Sequence, residues 1–143
     1  MSIGDTFEND LMKLIFNATA IANIADNAAT SPLTNLYVDL HTADPGETGT
    51  QTTSETSYTG YARVAVARTS GGWTVTANVA SNVAAITFGA CTAGTSTITY
   101  ASVGTASSGT GKILLSGALT ASLAVSPGIT PSFAIGALTV SVD

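Results

Sequence analysis

Between Thr56 and Val142 the chain carries only three charged side chains, Arg63, Arg68 and Lys112. The rest of that stretch is mostly Ser, Thr, Gly, Ala and Val in short alternating runs. Alternation with a period of two, broken by glycine clusters, specifies half-buried strands and tight turns; a helix needs a period near 3.6. A free-standing globular chain places charge on about a quarter of its residues, whereas here charged residues make up 9%. A surface so poor in charge suits a β-rich piece of an assembly, where neighbouring subunits cover what water otherwise would.

The strands are read in order. Leu36 to His41 alternates, with Leu36, Val38 and Leu40 on one face and Tyr37, Asp39 and His41 on the other, as in a half-buried strand. Tyr61 to Arg68 follows, then a strand carrying Trp73, Val75 and Ala77 after the Gly71-Gly72 turn. Val83 to Phe88, Ser96 to Ser102, Ile113 to Ser116, Leu119 to Val125 and Ala134 to Val142 complete the set. Short strands with turn signals every 8–12 residues or so predict a β-sandwich or barrel.

Residues 5–22 predict the one helix. Asp5 is placed to cap it and Glu8, three residues on, completes a capping-box pattern. Phe7, Leu11, Leu14, Ile15, Ala18, Ile21 and Ala22 share one face, widened by Met12 and Phe16. That stripe either lies on its own domain or docks partly on a neighbour. Residues 28–35 read as a linker around Pro32, and residues 42–60 as a long polar loop opened by the Asp44-Pro45-Gly46 turn. Loops of that length inside a domain tend to be functional, so this one is a contact arm or a mobile tip. The expected organisation is one domain over 1–143, with a helical arm at 1–27 and a sandwich at 28–143.

Charge excludes whole classes of function. Net charge is −5, but eight acids stand against Lys13 in residues 1–55. No basic cluster exists to meet phosphates, so nucleic acid and anionic membrane are not expected partners. No apolar run reaches membrane-spanning length. The acidic N-terminus is unlike a signal peptide. A lone Cys91 forms no intramolecular disulfide and suits synthesis in a reducing cytoplasm.

The inventory for chemistry is thin. His41 is the only histidine, and Asp39 shares its strand face. A Ser-His-Asp site requires a serine delivered by the fold, and no G-x-S-x-G elbow is present. The plain reading is a surface histidine beside an acid. One His and one Cys do not make a zinc site, and the loop acids follow no calcium motif. Gly109-Thr110-Gly111-Lys112 departs from a phosphate loop, because Ile113 stands where Ser or Thr is needed. Cys91 reads as a small buried residue and Trp73 as a core anchor. Arg63 and Arg68 are expected to pair with acids of the front segment or of a neighbour.

Four segments together carry a family likeness: LYVDLHTADPGETGT at 36–50, YTGYARVAVAR at 58–68, GKILLSGALTASLAVSPG at 111–128 and GALTVSVD at 136–143. Preceded by a short amphipathic helix, this layout resembles a family of small tailed-bacteriophage structural proteins. Its members are often labelled tail-fibre-like and also look like capsid cement or decoration proteins. The resemblance implies a mainly β fold, a jelly-roll-like antiparallel sandwich with one N-terminal helix. It also implies no cofactor and no catalytic residue; neither a metal nor a small-molecule substrate is expected.

The expected role is a cement protein on the capsid exterior of the virion, made in the host cytoplasm. Its partners are then the major capsid protein and sister copies, as a homodimer or homotrimer. Binding only the assembled shell stabilises that state by mass action. The alternative is a tail-fibre or receptor-binding module for a host glycan or protein, with Tyr37, Asp39, His41, Tyr58 and Tyr61 as its patch. A hydrolase using His41 and Asp39 is the third possibility. Candidate interface residues are Phe7, Leu11, Leu14, Ile15, Asp44, Tyr58, Arg63 and Arg68.

Overall fold

The computed structural model describes residues 5–21 and 32–142. The expected Asp5 cap, the helix tail from Ala22 and the first half of the 28–35 linker fall outside the described residues or side chains. The elements run α1 (Asp5–Asn17), β1 (Asn35–His41), β2 (Val64–Ala67), β3 (Trp73–Thr76), β4 (Val79–Asn82), β5 (Ile86–Thr87), β6 (Ser96–Gly104), β7 (Ile113–Val125), β8 (Ser132–Phe133) and β9 (Thr139–Ser141). The protein is thus mainly β, with antiparallel sheets and one N-terminal helix. A jelly roll doubles eight strands into two sheets. Here the strands divide into sheets of four (β2-β1-β6-β7), three (β3-β4-β9) and two (β5-β8), and none closes into a barrel among the described residues.

The chain sorts into two compact units. The first has its described residues within 1–35, 66–85 and 133–142. In it α1 packs on β3 and β4. The fully buried side of the helix is Met12 and Phe16, and the Phe16 ring meets Trp73 edge-on at 4.8 Å. The helix stops at Asn17, short of the expected Ala22. Ala18 turns left-handed with φ 53°, and the Thr19 N–H donates back to the Lys13 carbonyl at 3.1 Å. The last turn has no basic residue of its own. Arg68 supplies the cation, donating to the free carbonyls of Leu14 and Ile15 and, at 3.3 Å, to that of Leu33.

Three strands differ from expectation. The Trp73 strand ends at a two-residue hairpin turn, Ala77-Asn78, with Ala77 at φ 53°. The expected strands at 83–88 and 134–142 are shortened by a buried amide. Asn82 donates to the carbonyls of Ala84 (2.7 Å) and Ala134 (2.8 Å) and accepts from the Leu138 N–H (2.9 Å). One side chain thereby satisfies three backbone groups that a longer ladder would otherwise have taken.

The second unit comprises residues 36–65 and 86–132 and holds most of the four-stranded sheet. β1 pairs antiparallel with β6, setting Asp39 opposite Ser102 and His41 opposite Tyr100; β6 pairs with β7, setting Ser102 opposite Ser116. Val38, Leu40, Ala101 and Val103 form the buried apolar face. β1 is not the half-buried strand its alternation suggests, because Asp39 and His41 on the other face are also fully buried. β7 joins what read as two strands. Between the pairs Tyr100–Ala118 and Ile98–Leu123 it runs Leu119, Thr120, Ala121 and Ser122 against the single Thr99, an enlarged bulge of four residues against one.

Candidate functional site

The 42–60 loop is not a free tip; it is a folded cover over the polar face of β1 and β6. It turns at Asp44, whose Oδ1 accepts the Gly46 N–H at 2.8 Å, with Gly46 at φ 71°. Bridges His41–Glu55, Thr50–Lys112 and Thr59–Ala93 fasten it along its length. Gln51 acts as its bolt. The side chain is fully buried, its Oε1 accepts the Ala106 N–H at 2.9 Å, and the backbone N–H of the same residue donates to the Gly111 carbonyl at 3.0 Å. A Cβ at Gly104 or Gly111 would overlap Gln51, so both positions need glycine for this close approach.

Under the cover lies a cluster of ionised and hydroxylated side chains. Arg63 lies with its side chain 2% exposed and grips Glu55 with two bonds, Nε and Nη2 each 2.7 Å from a carboxylate oxygen. The same guanidinium donates to the carbonyls of Ala106 (3.0 Å) and Gly109 (2.9 Å), so one cation ties the cover to the 105–111 turn. The Glu55 hydrogen bond, ahead of the opposing burial, raises the Arg63 pKa, and the residue stays charged. The Tyr61 hydroxyl donates to Glu55 at 3.0 Å and accepts the Leu40 N–H at 3.1 Å. Burial pushes that phenol far up, against the Leu40 bond and with help from Glu55 and Asp39.

The fold does deliver a serine to His41 and Asp39. His41 is fully buried, not the surface histidine the sequence suggests. Its Nε2 stands 3.0 Å from Ser102 Oγ and 3.5 Å from Asp39 Oδ2, and its Nδ1 stands 2.8 Å from the Thr53 carbonyl. Ser102 donates to Asp39 Oδ1. Burial alone would lower the His41 pKa. The hydrogen bond and charge of Asp39, the Thr53 carbonyl and Glu55 outweigh it, and the net shift is upward. Nδ1 faces a carbonyl and the Ser102 hydroxyl gives its proton to Asp39, so both ring nitrogens are placed to donate, and Ser102 bridges the imidazole to the Asp39 carboxylate.

That geometry differs from a hydrolytic triad. In a triad the acid orients Nδ1 while the serine gives its proton to Nε2. Here acid and serine both lie at Nε2, the serine proton points at the acid, and Nδ1 is spent on a backbone carbonyl. All three side chains are sealed from solvent. The arrangement can hold a loop down.

Above the cluster an open cleft of about 410 Å³ runs between Asp44, Gly46, Glu47 and Gly49 of the cover and Tyr100 with Ile113–Ser116 of β7. Among the described residues no group of three or more His, Cys, Asp and Glu stands together to hold a metal. Among the described residues no helix is long and apolar enough to cross a membrane.

The eight candidate interface residues are distributed between the units. In the first, Phe7 is 44% exposed, Leu11, Leu14 and Ile15 are half-buried, and Arg68 is engaged on the helix carbonyls. In the second, Asp44 is exposed at the cleft and Arg63 is paired with Glu55. Tyr58 is 4% exposed and donates its hydroxyl to the Gly89 carbonyl. The expected receptor patch is largely interior, since Asp39, His41 and Tyr58 are buried. Sequence reasoning missed Gln51 and Ser102 as members of the cluster, and grouped Tyr61 with Asp39 and His41 only as a receptor patch. The available signal was the spacing of Glu55, Tyr61 and Arg63 around a strand that carries polar residues on one face.

No curated protein matches the chain. The family model of the Podophage GP4 fiber I protein gp80 matches residues 2–141, nearly the whole length. The chain therefore belongs to this family of phage structural proteins.

Proposed function

We propose that the protein is a fibre-type component of a phage virion that works by adhesion and not by catalysis. The observation that carries this reading is the fibre-protein family match over residues 2–141. The site chemistry supports it. The serine, histidine and aspartate that the fold unites are sealed under the 42–60 cover and serve to pin it. What remains at the surface of that unit is a pinned loop, a cleft and an uncharged strand, which suit contacts with other proteins more than turnover. Several copies act together, so weak contacts add by avidity.

A second reading is the capsid cement protein, bound to the major capsid protein on the shell exterior. Phe7 favours it: an aromatic side chain 44% exposed on α1 is a ready contact for a shell subunit. Copy number per purified virion, measured by quantitative mass spectrometry against the major shell protein, decides between the two. A number set by the few tail appendages supports the fibre. A number comparable to the shell subunits overturns it in favour of cement.

A further inference from the structure

We propose that the cleft beside the 42–60 cover takes an extended, basic segment of another protein, laid against β7 as an added strand. The inference rests on the adhesive reading above and names the chemistry of what that surface holds.

Two features meet at the cleft. The first is an open sheet edge. β7 is the outer strand of the four-stranded sheet, and among the described residues no backbone bond reaches its outer side. Ile113–Ser116 line the cleft as four consecutive residues. Side chains of a strand alternate between faces, so a ligand that meets all four lies along the strand and not on one face. Leu115 to Ala118 pair in regular register with Val103 to Tyr100. An antiparallel ladder uses the N–H and C=O of every second residue, which leaves alternate groups of this run pointing outward. Natural chains blunt such an edge with lysine, proline or inward charge. Ile113 to Val125 holds no charged residue and no proline.

The second feature is the charge of the facing wall, and it names the occupant. Asp44 and Glu47 line the cleft, and no Lys, Arg or His is among its lining residues. Both acids are exposed. Asp44 spends Oδ1 on the Gly46 N–H; among the described residues its other oxygen and the Glu47 carboxylate have no partner. The wall is pre-formed. The Gly49 N–H donates to the Gly46 carbonyl at 3.1 Å, and a Cβ at Gly49 would overlap the Pro45 carbonyl. Little ordering is then left to oppose binding. Ser116 and Ala118 share the face of Ser102 and Tyr100, the side on which the cover lies. Every second side chain of an added strand points the same way, and lysine or arginine there meets the two carboxylates. Main-chain bonds to β7 supply affinity, and these alternate side chains supply specificity. A second copy does not fit, because its bases Lys13, Arg63, Arg68 and Lys112 nowhere stand two residues apart. The occupant is a different chain.

The test uses the full chain and an end-blocked hexapeptide of alternating lysine and valine, labelled for fluorescence anisotropy. This peptide is expected to bind, and its glutamate–valine counterpart is not. Asp44→Asn combined with Glu47→Gln is expected to weaken binding by about tenfold or more. Melting should stay unchanged, since both positions are exposed and the replacement amide still accepts the Gly46 N–H. Two further peptides, N-methylated at every lysine or at every valine, keep all charges and lose one alternating set of donors. One of the two is expected to lose binding, because one set faces β7. Backbone amide shifts on titration should concentrate in 44–49 and 113–118. No binding at about 1 mM peptide overturns the proposal. So does binding retained by the double variant or by both N-methylated peptides, since the attraction is then unspecific or makes no strand. Cellobiose shifting those amides where the peptide does not overturns it in favour of a sugar site. Copy number per virion is a separate measurement, so the fibre reading stands or falls apart from these outcomes.

Discussion

The two units reach order by different means. The helix-bearing unit is held by apolar side chains in contact: Trp73, Phe16 and Met12 are fully buried together with Ala80. The unit built on the four-stranded sheet also has an apolar face, but its other face is closed by polar side chains whose bonds span 6 to 63 residues of sequence. Apolar packing is tolerant of detail, because any well-fitting hydrophobe regains much of the energy. A buried ionic cluster is not, because removing one partner leaves a desolvated charge. The first unit should therefore degrade in proportion to lost volume, and the second should fail at named atoms.

The largest effect expected is that of Trp73→Ala. Phe16 loses its edge-on partner and the unit loses its largest buried side chain, at about 3–5 kcal/mol. Amide exchange should accelerate through 73–82 and 139–141. Unchanged protection there would show that this unit does not depend on its tryptophan. Arg63→Met should cost about 3 kcal/mol, with exchange accelerating at 51–56 and 105–111, the segments it joins. Adding Glu55→Gln should restore part of the loss, since the orphaned carboxylate is then neutral. If the double variant is no better than the single, the guanidinium acts by packing and the contrast between the units weakens.

The pH response sharpens the contrast further. His41 titrates higher folded than its usual 6.5, so its ion pair contributes fully below about 6.5 and is lost as pH rises through the raised folded value. Asp39, Ser102, Thr53, Glu55, Arg63 and the cross-strand Tyr100 surround it. Melting temperature should fall on the alkaline side, with exchange loosening first at Thr53 and its neighbours. In His41→Gln that slope should flatten, because glutamine keeps a donor and has no charge to lose. Equal slopes in both proteins would mean that the histidine is not the alkaline trigger.

What was legible in the sequence follows the same division. The alternation and the glycine clusters located β1, β6 and the two arms of β7, and the burial of Trp73 and Cys91 followed from their types. The cluster was not legible, because it is an accident of register. Asp39 meets Ser102 only once β1 and β6 are paired, 63 residues apart. Gln51 looked like one more polar loop residue, and only the two bare glycines at 104 and 111 make it a bolt. His41 read as a surface residue because its strand alternates, and alternation cannot say that a loop will fold back over the polar face. The missed turns have one cause: Ala18, Ser54 and Ala77 take positive φ, a conformation that sequence reading reserves for glycine and asparagine.

That last point gives the smallest and cleanest test. Ala18 ends α1 in the left-handed region at φ 53°, where an alanine Cβ crowds the carbonyl and glycine is the usual occupant. The conformation persists because its surroundings hold it. Thr19 bonds back to Lys13, Asn17 Nδ2 donates to the Trp73 carbonyl at 3.0 Å, and Arg68 occupies the last free carbonyls. Ala18→Gly removes the strain and keeps every one of those bonds, so it should stabilise the protein by about 0.5–1 kcal/mol, read as a rise in melting temperature. A drop would mean that α1 continues past Asn17 in solution, where glycine in a helix interior is unfavourable, and that the Arg68 cap is not what ends it.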